Sequence, residues 1–183
     1  MREIDKRTRV HRREFLRGAA TVPPAAAAAA AGLVIAPGEA WASDTKALRP
    51  DTLATLARAS RDIFPHDRLA DRYYIAAVLP YDDKAAADPA LKTLLEDGVA
   101  RLDAEAKRRF NRSYLRTGSE EQRVQVLQAI ETTPFFQKLR GDLVVSLYNQ
   151  KEVWPKLGYE GSSFEHGGYI NRGFDDIDWL GEA

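Results

Sequence analysis

The run from Asp88 to Phe110 does most to limit the folds open to this chain. Asp88-Pro89 is a strong helix start, because the carboxylate can cap free backbone amides while proline takes the first helical position, where no donor is needed. Behind it Leu91, Leu94, Leu95, Gly98, Val99, Leu102, Ala106 and Phe110 recur at intervals of three and four, and Lys92, Glu96, Arg101, Asp103 and Lys107 fall on the other faces. The spacing predicts a long amphipathic helix, and such a helix must bury its apolar stripe against neighbours.

The neighbours have signals of the same kind. Asp51 is the expected cap of a helix in which Leu53, Leu56, Ile63 and Phe64 share a face, with Pro65 as its stop. Leu69 to Leu79 reads as a shorter helix that buries Tyr73, Tyr74 and Val78, and Pro80-Tyr81-Asp82-Asp83 reads as a turn. Ser119-Glu120-Glu121-Gln122 has the form of a capping box and is followed by Val124, Leu127 and Ile130. Thr133-Pro134 opens a helix with Phe135, Phe136, Leu139, Leu143, Val144, Leu147 and Tyr148, apolar enough to be the most buried of the set. No convincing alternating run competes, so residues 43–157 are expected to form an all-α domain, a small bundle of about five helices.

Composition changes after Asn149. Val153 to Leu157 makes one turn at most, and residues 158–183 form a tail rich in glycine with a large aromatic side chain every few residues. Each glycine costs a helix about 1 kcal/mol, yet so aromatic a segment is unlike a solvated, disordered tail. Two surfaces can receive it, the chain's own bundle and another protein, and both readings stand.

The start of the chain has a different character. His11-Arg12-Arg13-Glu14-Phe15-Leu16-Arg17 precedes an apolar region, Gly18 to Pro37, in which Ala25 to Ala31 is unbroken. Arg12, Arg13, Phe15 and Leu16 at these offsets form the pattern of a twin-arginine export signal, with His11 standing where Ser or Thr is commonest. Alanine is weakly apolar and Pro23-Pro24 would disturb a spanning helix, so residues 1–42 read as a removable signal peptide. Ala40 and Ala42 place small residues where a signal peptidase reads them, and cleavage is expected after Ala42. A signal retained as an anchor is the alternative. The twin-arginine route carries folded proteins, so the chain either holds a cofactor or escorts something that does.

Formal charge over all 183 residues balances at 27 basic and 27 acidic. Removing the seven basic and four acidic residues that precede Ser43 leaves 20 and 23, so the mature domain is slightly acidic and nucleic acid is an unexpected partner. Cysteine is absent, which excludes disulfides, haem attachment, iron–sulfur ligation, thiolate zinc and a cysteine nucleophile. Gly167-Gly168 and Gly173 lack the strand and helix of a dinucleotide fingerprint, and Asp175, Asp176 and Asp178 lack the glycine and terminal Glu of a calcium loop. These residues predict no catalytic, cofactor-binding or metal site in this chain. His66 with Asp67, and His166, are the candidates for acid–base chemistry if it acts alone; a capping or surface role competes for each. Arg172, within the aromatic tail, suits bidentate pairing with a carboxylate across an interface.

Leu147-Tyr148-Asn149, Val153-Trp154, Leu157-Gly158-Tyr159-Glu160-Gly161, Gly167-Gly168-Tyr169 and Arg172-Gly173-Phe174-Asp175-Asp176-Ile177-Asp178-Trp179 together resemble the gluconate 2-dehydrogenase subunit 3 family. Leu53 to Asp67, with its Phe64-Pro65-His66-Asp67 end, resembles that family's opening helix. The resemblance implies a non-catalytic small subunit in an exported dehydrogenase complex. The large subunit, of the glucose-methanol-choline oxidoreductase type, holds FAD and oxidises a sugar or polyol. A c-type cytochrome often takes the electrons. The small subunit supplies the export signal, engages the twin-arginine translocase and helps the flavoprotein mature, and its destination is the periplasm. Trp154, Tyr159, Phe164, Tyr169, Arg172, Phe174 and Trp179 are the expected partner interface. Two other classes remain: a stand-alone periplasmic enzyme using His66, Asp67 or His166, and a periplasmic binding module unrelated to redox.

Overall fold

The computed structural model describes residues 40–42 and 45–170. Among the described residues six α-helices occur: α1 (Pro50–Ile63), α2 (Asp71–Val78), α3 (Pro80–Ala87), α4 (Pro89–Phe110), α5 (Glu120–Ala129) and α6 (Pro134–Ser146). Short 3-10 turns lie at Ala40–Ala42, Tyr114–Arg116, Trp154–Leu157 and Ser163–His166. There is no strand among the described residues, and no helix among them is long and apolar enough to cross a membrane. The class is all-α, as the sequence predicts.

Each of the three strongest start signals is used. Asp88 accepts from the amides of Ala90 (2.9 Å) and Leu91 (3.2 Å), Ser119 from Gln122 (3.2 Å), and Thr133 from Phe136 (3.3 Å). At the other end of α4, Asn111 closes the helix in the left-handed conformation at φ 55°, and Lys107, Arg108 and Arg109 face the negative end of the helix dipole.

Two boundaries differ from the expectation. Asp51 does not cap α1: Pro50 is already helical, Arg49 is the flanking residue, and the cap comes from another helix. Glu96 of α4 accepts from the Arg49 amide (2.9 Å), the Arg49 Nε (2.6 Å) and the Thr52 hydroxyl (2.8 Å). Pro80 to Asp83 is not a turn but the first turn of α3. Leu79 keeps right-handed helical angles, and its amide donates to Ile75 at 3.0 Å. Proline at a first helical position followed by acids is also a helix-start pattern, so α2 and α3 form one rod broken at Pro80. Counted that way, the bundle has five rods.

α1 lies at the centre and packs against α2, α4, α5 and α6. Leu53, Leu56, Ala57 and Ala59 are buried on it, together with Tyr74 and Val78 of α2, Leu95 and Leu102 of α4, and Leu139 and Leu143 of α6. At Gly98 the Phe135 ring of α6 lies directly on the backbone of α4: a Cβ there would fall 2.0 Å from the ring. The face of α6 is narrower than expected. Phe135, Leu139, Leu143 and Leu147 point inward, whereas Val144 is 56 % and Val145 63 % exposed. Consecutive helical residues differ by about 100°, so Leu143-Val144-Val145 cannot share one face.

Among the described residues, the buried side-chain polar groups other than the Trp41 indole N–H have partners. Arg123 of α5 grips Asp62 of α1 through Nε (2.7 Å) and Nη2 (3.0 Å) and donates to the Thr117 carbonyl (3.1 Å), while the Tyr114 hydroxyl donates to Asp62 (2.7 Å). Burial, then the neighbouring Asp62 charge, push the Tyr114 hydroxyl well above its ordinary value. Asp82 of α3 receives the amides of Lys46 (2.6 Å), Ala47 (3.0 Å) and Leu48 (2.8 Å), which ties the segment entering α1 to the bundle. Burial alone would raise the Asp82 carboxyl; the three donors outweigh it and hold it below the usual range.

Gly98→Ala should cost stability in spite of better helix propensity, by about 1–3 kcal/mol net, read by chemical denaturation. A carboxyl with a depressed folded value contributes stability above its unfolded value, near pH 4, and loses that contribution as pH falls through the folded value. Asp82→Asn should therefore lower stability at neutral pH and flatten the acid limb of the stability curve below about pH 4.

Candidate functional site

The helical period that turns Leu143 and Leu147 inward leaves Val144 and Val145 on the outer side of α6. The chain leaving α6 is then fastened back beside them. Gln150 donates through Nε2 to the carbonyls of Tyr73 and Ser146, both at 2.9 Å, and Val153 is fully buried. Trp154 is half-buried; its indole N–H donates to the Tyr148 carbonyl at 2.7 Å, and its ring meets Tyr159 edge-on at 5.3 Å. Val144, Val145, Tyr148, Asn149, Trp154, Leu157 and Tyr159 thereby line an open cleft of about 580 Å³.

Beyond the cleft the tail turns on glycines with positive φ, Gly158 at 80° and Gly161 at 112°. Such angles are open to glycine and strained for side chains with a Cβ. Gly161 lies beside the Trp154 ring, where a Cβ would sit at 3.5 Å. Among the described residues, the large apolar side chains of the tail are left exposed: Tyr159 is 52 %, Phe164 89 %, Tyr169 69 % and Ile170 81 % exposed. Together with the cleft they make an exposed apolar patch on this side of the domain.

Of the residues expected at a partner interface, Trp154 and Tyr159 come together at the cleft, and Phe164 and Tyr169 stand exposed further along. Arg172, Phe174 and Trp179 lie outside the described residues, as do Asp175, Asp176 and Asp178 and the export residues Arg12, Arg13, Phe15 and Leu16. Val144, Val145, Leu157 and Ile170 belong to the same exposed set and were not anticipated. The run Leu143-Val144-Val145 carried the signal, since it is one apolar residue too wide for an inward stripe.

The two histidines of the domain have separate partners. His66 Nε2 is hydrogen-bonded to the Tyr148 hydroxyl at 2.7 Å, and the His66 amide donates to the Tyr74 hydroxyl at 3.2 Å. Tyr74 in turn donates to the Phe64 carbonyl at 2.7 Å. Phe64 and His66 both meet the Tyr148 ring edge-on, at 5.7 and 5.6 Å. His66 thus joins the turn after α1 to the wall of the cleft, and Asp67 beside it is exposed. His166 contacts the Glu160 carbonyl at 3.2 Å within the tail. No group of three or more residues suited to hold a metal ion occurs among the described residues.

Comparison of the chain with family models, with curated proteins and with solved structures gives no match.

The cleft separates supporting from presenting residues. Tyr148→Phe keeps the ring stack but removes the hydroxyl bonded to His66, and should cost about 0.5–1.5 kcal/mol. Val145→Lys should stay within about 0.5 kcal/mol of the parent. Urea denaturation of both variants checks this.

Proposed function

We propose that this chain is the non-catalytic small subunit of an exported FAD-dependent sugar or polyol dehydrogenase, of the gluconate 2-dehydrogenase subunit 3 type. It acts as twin-arginine export carrier and assembly factor for a large flavoprotein of the glucose-methanol-choline type. The observation that carries this reading is the exposed apolar surface around the tail. Val144, Val145, Leu157 and Tyr159 form one cleft, with Phe164, Tyr169 and Ile170 presented beyond it. Aromatic anchors of this sort dominate binding energy at protein interfaces, and their exposure argues for a partner rather than for self-burial.

The second support is the pairing of that surface with the Arg12-Arg13-Glu14-Phe15-Leu16 pattern at the other end of the chain. A binding surface and an export address on one cysteine-free chain are what a carrier needs. FAD, and c-type haem where a cytochrome subunit is present, belong to the partners; the complex works in the periplasm.

Purification of the native exported protein through a tag at Ala183 should bring down a yellow flavoprotein. Phe164→Ser with Tyr169→Ser should reduce its recovery at least about tenfold, a loss of roughly 1.4 kcal/mol, while the melting temperature of the small chain stays unchanged. Arg12-Arg13→Lys-Lys should leave both chains in the cytoplasm. A colourless single chain, or a large subunit exported without the arginine pair, rejects the carrier role.

A further inference from the structure

Ala40-Trp41-Ala42 has two incompatible readings. As sequence it is the end of the leader, with small residues placed for a peptidase to cut after Ala42. In the structure it belongs to the domain. The three residues form a 3-10 turn that contacts α1. Trp41 packs against the hydrophobic core, and its indole N–H is buried with no partner. Ala42 is only 2 % exposed. A short way on, the amides of Lys46, Ala47 and Leu48 are fixed on the Asp82 carboxylate, so the chain is held on the far side as well.

A peptidase must hold its substrate extended, with the side chain just before the cut in a pocket of its own. The Ala42 methyl cannot occupy that pocket and the core of the domain together. A chain exported already folded reaches the peptidase with Ala42 inside. Gly38-Glu39-Ala40 offers the same small-x-small pattern two residues upstream, and a cut after Ala40, the first residue of the turn, needs only that end to open and leaves both Trp41 and Ala42 in place. We infer that Trp41 and Ala42 are part of the mature domain, and that the leader is removed at the Ala40–Trp41 bond rather than after Ala42. The bond hydrolysed is that amide, with water as the nucleophile; Ala40 keeps the new carboxylate and Trp41 the new amine.

The position of the cut rests on the export reading; the burial of Trp41 does not, and two measurements keep them apart. N-terminal sequencing and intact mass of the exported protein should give Trp41 as the first residue. A start at Ser43 overturns the inference, and an intact Met1 on exported protein overturns the cut. Independently, Trp41→Ala in the full-length chain should lower the melting temperature by about 4–8 °C, whether or not the chain is exported. An unchanged melting temperature overturns the burial.

Discussion

The bundle depends on one buried ion pair. Asp62 comes near the end of α1 and Arg123 from the first half of α5, and their two-point contact has the Asp62 carboxylate fully buried and the Arg123 side chain nearly so. Such a pair adds little over a well-packed apolar substitute, but leaving one charge without the other costs roughly 3–5 kcal/mol. Its effect is therefore on register. Only one placement of α5 along α1 brings the guanidinium plane onto both carboxylate oxygens while leaving Nη1 on the Thr117 carbonyl and the Tyr114 hydroxyl on Asp62. Burial works against the Arg123 cation, but the bond to Asp62 outweighs it and its value is raised. Arg58 on α1 is shifted the other way, chiefly by burial.

Two further carboxylates organise the chain in the same manner with backbone donors. Asp82 collects three consecutive amides of the segment before α1, and Glu96 holds the first residues of α1 from the side of α4. The segment before α1 has no helix or strand to satisfy its amides, so acids on other helices do so. Burial raises Glu96, but the Arg49 amide, the Thr52 hydroxyl and the Arg49 side chain bring it below the ordinary range.

Local signals were legible in the sequence; partners distant along the chain were not. Asp88-Pro89, Ser119 and Thr133-Pro134 act within three residues of themselves, and each makes the bond its pattern suggests. Asp51 and Pro80 misled because one pattern serves two structures. An acid beside a proline can be the cap or the first turn, and Pro-x-Asp-Asp can be a turn or a helix start. The Asp62–Arg123 pair spans 61 positions, and nothing local separates Arg123 from the other arginines. At the candidate site, Trp154 and Tyr159 are legible as aromatics of the C-terminal segment, but Val144 counts toward the core only if apolar content is taken without its angular limit.

The fastening of the tail has a mechanical side. Trp154 holds the Tyr148 carbonyl, and the Tyr148 hydroxyl and ring hold His66 and Phe64. Phe64 is the residue that ends α1, two positions after Asp62. Tension applied to the tail has a short load path through stiff rings and hydrogen bonds to the central helix, where the ion pair resists it. The segment after α6 is thus rooted in the middle of the bundle rather than laid on its surface, and it cannot be peeled away without straining the central helix.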